Sequence, residues 1–367
     1  MPTTKSLEEA EQLLKTDALR MDHYELPLSE VHLVAPDEVK IGEDKFTLTN
    51  FGQRSLCKVL EMPNNFSTRL HADATDLWKD MVVKLETLRD TSVRVSTSIS
   101  DRGTQVIDGI NKSSVGWINN EEFFKLAKFW LDYKPVKLSL KGINIDSMGG
   151  MIIQLRFPES EVGLISDKSD LFTLGLTLSN SEVVRWRTEA ALDLERMVCT
   201  NRARISEKSY VMCQSHVKGS GRLIENLWSD TQQIVQMNVS VAEFLKTRIN
   251  RLVDVPASLR ELEMAYRTAT KNIMNCEMVV PDLDKRIPFK SVLAKYGIEA
   301  KEKTERWKST ATTPVSCYKL YNELTYLGSN LDHLPETQLA MEIECGKTFL
   351  SEHGPDLSDI APRMSWN

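Results

Sequence analysis

Ser92-Val93-Arg94-Val95-Ser96-Thr97-Ser98 and Thr104-Gln105-Val106-Ile107-Asp108-Gly109-Ile110 decide the fold class. In the first stretch apolar residues fall on alternate positions, Val93 and Val95 and then Ile99. In the second the alternation is looser, with Val106 followed by Ile107 and Ile110. Between them Ser100-Asp101-Arg102-Gly103 supplies turn residues. Two period-2 segments around such a turn predict an antiparallel hairpin.

Working outward, Val31-His32-Leu33-Val34 and Lys45-Phe46-Thr47-Leu48 are short strand candidates. Helical spacing is expected up to about Arg20, over Phe51 to Leu60, in a further helix after Pro63 to about Leu70, and over Leu77 to Arg89. Asn119-Asn120 reads as the cap of a helix over Glu121 to Leu131. Downstream, Val136 to Leu140 and Ile143 to Ile145 alternate. Ser147-Met148-Gly149-Gly150 turns the chain, and Ile153, Leu155 and Phe157 return. Phe172 to Leu178 and Val183 to about Val198 form a last strand pair. After Asn201 the pattern is helical almost to the end, with a helix over Ala311 to Leu331 entered through Pro314.

Strands gathered between about 92 and 200, with helices on both sides, predict an α+β fold. Tight turns make the sheet mostly antiparallel. The expected organisation is an N-terminal helical and short-strand region over 1–90, a sheet core over 91–205, a helical region over 206–355 and a loose tail over 356–367.

The composition, 41% hydrophobic and 27% charged, is that of a globular protein. No apolar run approaches the ~18 residues of a membrane span. The first 30 residues carry Glu8, Glu9, Glu11 and Asp17 and lack a signal-peptide pattern, so the expected location is the cytoplasm, that of the host cell if the gene is phage-borne. Cys57, Cys199, Cys213, Cys276, Cys317 and Cys345 show no metal-type spacing and read as reduced thiols.

Net charge is −6, but it is unevenly distributed. Residues 201–260 carry nine Lys/Arg against five Asp/Glu, a net of +4, and residues 1–60 carry seven against eleven, a net of −4. A basic middle and an acidic end suit either a binding face or self-association.

Several short motifs carry a family resemblance. They are Val93-Arg94-Val95 with Ser100-Asp101-Arg102, then Ile118-Asn119-Asn120-Glu121, then Leu178-Ser179-Asn180-Ser181-Glu182-Val183, then Val198-Cys199-Thr200-Asn201, and finally Tyr318-Lys319-Leu320-Tyr321-Asn322-Glu323-Leu324-Thr325 with Asp332-His333. In this order, over roughly 50 to 335, the chain resembles the phage/plasmid-like protein family called domain of unknown function 932. Its departures mark a divergent member: Val184, Arg202 and Gly103 stand where the family pattern has Gly, Gly and Tyr. The resemblance implies a mobile-element setting and no defined activity.

Asn180, Ser181 and Glu182 at a strand corner either present a carboxylate and two hydrogen-bonding side chains to a ligand or satisfy the turn's own backbone. Cys199 has no base tied to it by spacing and reads as a buried thiol. The loop Ser215-His216-Val217-Lys218-Gly219-Ser220-Gly221-Arg222 is either a helix entry or a phosphate contact, and it is not a Walker A motif. In Arg185-Trp186-Arg187, read as strand, both arginines share one face. That face suits a phosphate backbone, extended by Arg202 and Arg204, or an edge strand whose charges oppose aggregation. The Asp167/Asp170 and Asp282/Asp284 pairs read as solvated turns.

Two functional classes follow. The first is a nucleic-acid-binding protein of a phage or plasmid, acting on single strands in recombination, repair or replication. In it Arg185, Arg187, Arg202, Arg204, Lys218 and Arg222 neutralise phosphates. The second is a non-catalytic interaction protein that binds a host or phage protein, or itself as a homo-oligomer. No nucleophile–base pair, metal site or cofactor motif is recognisable, so an enzyme ranks third, and no cofactor and no membrane partner are expected.

Overall fold

The computed structural model describes residues 3–4, 6–16, 21–63, 75–100, 102–133, 135–158, 162–163, 171–196, 202–204, 211–213, 229, 231–232, 238–254, 256–258, 314–330, 342–343 and 345. Expected features at Asn64 to Leu70, Asp101, Asp167, Asp170, Cys199, Lys218, Arg222, Cys276, Asp282, Asp284 and Asp332-His333, and in the 356–367 tail, lie outside these residues.

The chain is α+β, and its described residues form two main, mostly antiparallel sheets and a separate two-stranded one. In chain order the elements are β1 (Thr3–Thr4), α1 (Leu7–Leu14), β2 (Asp22–Pro27), β3 (Val31–Ala35), β4 (Glu38–Ile41), β5 (Asp44–Leu48), α2 (Asn50–Val59), α3 (Thr75–Thr87), β6 (Ser92–Ile99), β7 (Gln105–Lys112), α4 (Asn120–Asp132), β8 (Ser139–Ile145), β9 (Gly150–Arg156), β10 (Val162–Gly163), β11 (Leu171–Ser181), β12 (Glu189–Arg196), β13 (Arg202–Arg204), β14 (Val211–Cys213), α5 (Asn238–Asp254), β15 (Pro256–Ser258), β16 (Pro314–Ser316) and α6 (Cys317–Asn330).

The small sheet runs β2-β6-β7-β5-β4-β3. The hairpin of β6 and β7 forms as expected, with Val93 opposite Lys112 and Ile99 opposite Gln105. Its flank was not expected: β2 pairs β6 along its full length, and β5 joins β7 in parallel. The sheet therefore crosses the boundary drawn at residue 90. One face, bearing Val93, Val95, Ile107 and Ile110, packs with Leu56, Val59, Leu60, Met81 and Leu85 of the α2–α3 segment. Thr49 caps α2, its Oγ1 accepting from the Gly52 amide at 3.1 Å. The helix then presses so close to β7 that a Cβ on Gly52 would collide with the Ile107 carbonyl.

The large sheet has eight strands, ordered β1-β8-β9-β11-β12-β13, with β10 beside β11 and β14 beside β12. Leu174, Leu176 and Leu178 of β11 line up with Leu155 and Ile153 of β9 and with Leu194, Leu192 and Ala190 of β12. This apolar face carries α4, whose Phe123, Phe124, Leu126, Ala127 and Trp130 are buried. The alternate residues make a polar face with Thr173, Thr177, Gln154, Asp193 and Glu195, all buried as well.

Two expectations change here. The segment 182–188 is a connection rather than strand, so Arg185 and Arg187 leave the sheet. Beyond Asn201 the chain is not wholly helical, since β13 to β16 fall there and α6 begins only at Cys317.

Candidate functional site

Three of the sequence motifs meet in space where the small sheet's polar face abuts the ends of β9 and β11. Val93-Arg94-Val95 lies on β6, Ile118-Asn119-Asn120 opens α4, and Asn180-Ser181-Glu182 ends β11. Asn180 donates through Nδ2 to the Ile118 carbonyl and to Asn120 Oδ1, both at 2.9 Å, and accepts from Thr188 Oγ1 at 2.7 Å. Asn119 caps α4 by accepting from the Glu122 amide at 2.7 Å. Glu182 Oε1 accepts from the Asn120 amide at the same helix start, where the helix dipole favours an anion. Asn120 Nδ2 and the Glu182 amide both donate to the Gly149 carbonyl, at 3.2 and 2.9 Å.

The small sheet answers from its side. His23 of β2 contacts Glu182 Oε2 through Nε2 at 3.2 Å and Ser96 Oγ through Nδ1 at 3.0 Å. Its ring lies 4.2 Å from the ring of Trp117, and the Arg94 guanidinium lies 5.0 Å from the same ring. Arg94 donates to the carbonyls of Val115 and Glu182. Burial pulls its pKa down to about 10, which leaves it charged at neutral pH. Asn111 donates to the Val183 carbonyl at 3.1 Å.

A Ser–His–Glu chain is the form of a hydrolytic relay. Ser96, however, is 0% exposed, so no substrate carbonyl reaches its hydroxyl. The chain instead fixes the His23 ring and ties Glu182 to the small sheet.

A second charged group lies beside the first. Between Ser96 and Thr97 the β6–β7 register shifts, and Asp108 is the extra residue on β7. The bulge lets its carboxylate accept from Ser98 Oγ on the polar face. Asp108 is 1% exposed. Burial pushes its pKa up from 3.8 to about 6, against hydrogen bonds from Ser98 and Thr49 and the nearby charge of Arg185, and Asp146 adds to the rise. Asp146 starts the β8–β9 turn, its Oδ1 accepting from the amides of Met148 and Gly150 at 2.9 and 2.8 Å. Its other oxygen pairs with Arg185, whose side chain is 1% exposed and lies over the Trp186 ring at 4.6 Å. Gly150 leaves room for this pair, since a Cβ there would collide with Arg185 and Asp146.

A third cluster occupies the polar face of the large sheet. A second bulge makes Lys141 the extra residue on β8. Lys141 and Arg156 both pair with Glu195, while Thr177 donates to Asp193.

Of the six arginines and lysines expected to meet phosphate, the four described ones do not share one strand face. Arg185 turns inward to Asp146, which corrects its placement on a shared face with Arg187. Arg187 is exposed at the same end of the sheet. Arg202 and Arg204 lie in β13 opposite Glu195 and Asp193, toward the other end of β12. Cys57 is buried, and desolvation pushes its thiol up to about 11, so it is inert at neutral pH. Cys317 and Cys345 are buried too.

The sequence did not reveal His23, Asp108, Asp146, Trp117 or Arg94 as one group. The usable signals were local: an Asp opening a Gly-Gly turn, and a broken alternation at Ile107. Among the described residues no three or more His, Cys, Asp or Glu side chains converge as metal ligands, and no helix is long and apolar enough to cross a membrane. No protein-family model, curated protein or solved structure matches the chain.

Proposed function

We propose that the protein binds single-stranded nucleic acid without catalysis, in the mobile-element setting that the family resemblance implies. The observation that carries this reading is the segregation of cations. Arg185 at the sheet junction pairs with Asp146, and Lys141 and Arg156 on the large sheet's polar face pair with Glu195. On α5, by contrast, Lys246, Thr247 and Arg251 are exposed while Ile249 and Leu252 are buried, which gives the basic middle of the chain an outward face. Exposed Arg187 adds a cation at the β11–β12 connection. The phosphate-binding set is then Arg187, Lys246 and Arg251, with Arg202, Arg204, Lys218 and Arg222 from the same basic stretch and without Arg185.

Anisotropy of a labelled single strand, titrated at 50 and 200 mM salt, tests this. The expected logarithm of affinity falls against log salt with a slope of about −0.7 per phosphate contacted. The Lys246→Glu, Arg251→Glu double variant binds roughly tenfold more weakly, or worse. Binding that ignores both salt and this charge reversal sinks the reading.

A second reading has its own support. Glu30, Asp37, Glu43 and Asp44 are exposed around β3 to β5 of the small sheet. That acidic surface suits a cationic protein partner or a second copy of the chain. A single stoichiometric complex with protein, and no affinity for strands, selects it.

A further inference from the structure

We propose that α6 supplies the base-contacting half of the strand-binding face, with Tyr326 as the ring on which an unpaired base stacks and Lys319 as a further phosphate partner beside Arg251. This inference rests on the nucleic-acid reading above and adds to it what is recognised in the strand besides phosphate.

The chain itself brings α5 and α6 together. Pro256 of β15 pairs with Ser316 of β16. Helix α5 ends at Asp254, just before that pair, and α6 starts at Cys317, just after it. The two helices therefore meet one hairpin end from opposite directions, and they pack against each other. Lys246 stands eight residues before Asp254, and Tyr326 stands nine after Cys317. At a rise of ~1.5 Å per residue, both lie about 12–14 Å from the hairpin, at one level. Arg251 and Lys319 lie about 3–5 Å from it, at another.

Each helix is buried on one side only. In α6, Cys317, Tyr321 and Thr325 follow one another at four-residue steps and are buried. On that flank the Tyr318 ring lies 6.3 Å from Phe172 of β11, and the Arg196 guanidinium of β12 lies 6.0 Å from the same tyrosine. Lys319 and Tyr326 are two helical turns apart, so they share the other side, where both are exposed. In α5, Ile249 and Leu252 are buried while Lys246 and Arg251 are exposed. Exposed Asp254 closes the hairpin end of this face. The outward surface of the pair thus carries Arg251 with Lys319, and then Lys246 with Tyr326 about 9 Å further along.

Among the described Phe, Trp and Tyr side chains only Tyr24 and Tyr326 are exposed, at 45% and 41%. Tyr24 lies on the small sheet, in the acidic part of the chain, so Tyr326 is the described ring that stands among cations. Cations alone neutralise the phosphates of a single strand and of a duplex alike. An exposed ring beside them takes only a base that is out of its stack, and takes it whatever its identity.

Anisotropy with two labelled probes tests this: an oligothymidylate, and an abasic oligomer of the same length and charge. The wild type is expected to bind the base-bearing strand about tenfold more tightly than the abasic one, the worth of roughly one stacked base. Tyr326→Ala loses that preference and keeps the salt slope, whereas Tyr326→Phe, which keeps the ring, keeps both. Lys319→Glu weakens both probes equally and makes the slope shallower by about 0.7, one phosphate contact. The stacking site is overturned if the wild type binds the two probes equally, if folded Tyr326→Ala retains the preference, or if Tyr326→Phe loses it. An unchanged slope in Lys319→Glu removes Lys319 from the face. Should Tyr326→Ala fail to fold, the wild-type preference and Tyr326→Phe decide. Salt-dependent binding without preference for bases sinks the stacking site alone, and binding to neither probe sinks the nucleic-acid reading with it.

Discussion

The two faces of the small sheet are closed in opposite ways. On one face Val93, Val95, Ile107 and Ile110 meet helices through apolar contact, which is non-directional and tolerant of small shifts. On the other, Arg94 and Asn111 hold carbonyls of the β11–β12 connection, while Ser96 and Ser98 bond to His23 and Asp108 within the sheet, each contact needing its own geometry. The apolar face sets how strongly the sheet is held, and the polar face sets where the large sheet must sit. A buried polar junction gives little net stability when intact and costs much when one member is removed.

Asp146→Ala probes that asymmetry most severely. It removes the carboxylate paired with the buried Arg185 cation, at an expected cost of about 3–5 kcal/mol in denaturant unfolding. A loss below ~1 kcal/mol would mean that the ion pair does not hold the junction. Leu56→Ala, on the fully buried apolar side, is expected to cost about 3 kcal/mol. If it proves the more damaging of the two, the contrast between the faces is reversed. The smallest effect has the opposite sign. Val184 sits in the connection at φ +64°, a left-handed conformation that a β-branched residue adopts only under strain. Val184→Gly is expected to stabilise by about 1 kcal/mol, seen as a higher unfolding midpoint, and no gain would show that packing offsets the strain.

The β6–β7 hairpin was legible because alternation and turn chemistry agree there. Its irregular second half, Val106 then Ile107 and Ile110, was the trace of the bulge that re-aims Asp108, since one extra residue breaks a period of two. Strand β2 was not legible. Asp22-His23-Tyr24-Glu25-Leu26-Pro27 is mostly polar, because it lies at the edge of the described sheet and turns His23 and Glu25 to the polar face. The connection was misread as strand because Val183 and Val184 extend an apolar pattern, while the turn depends on Val184 taking a backbone state its residue type disfavours. The motif Asn180-Ser181-Glu182 was visible, but its partners were not. They come from β2, β6, α4 and the β8–β9 turn, and no local spacing encodes such convergence.

The His23–Glu182 contact spans 159 residues. At ribosomal rates of ~5–20 residues per second, His23 emerges roughly 8–30 s before the carboxylate that receives it. The small sheet's strands are complete by Lys112, so during that interval its apolar face can close on α2 and α3 while its charged face still waits for the rest of the chain. Water is a serviceable stand-in for hydrogen bonds and charge, and a poor one for a missing hydrophobic layer. The order in which the chain appears thus matches the chemistry of the two faces: the one that tolerates delay is the one that is made to wait.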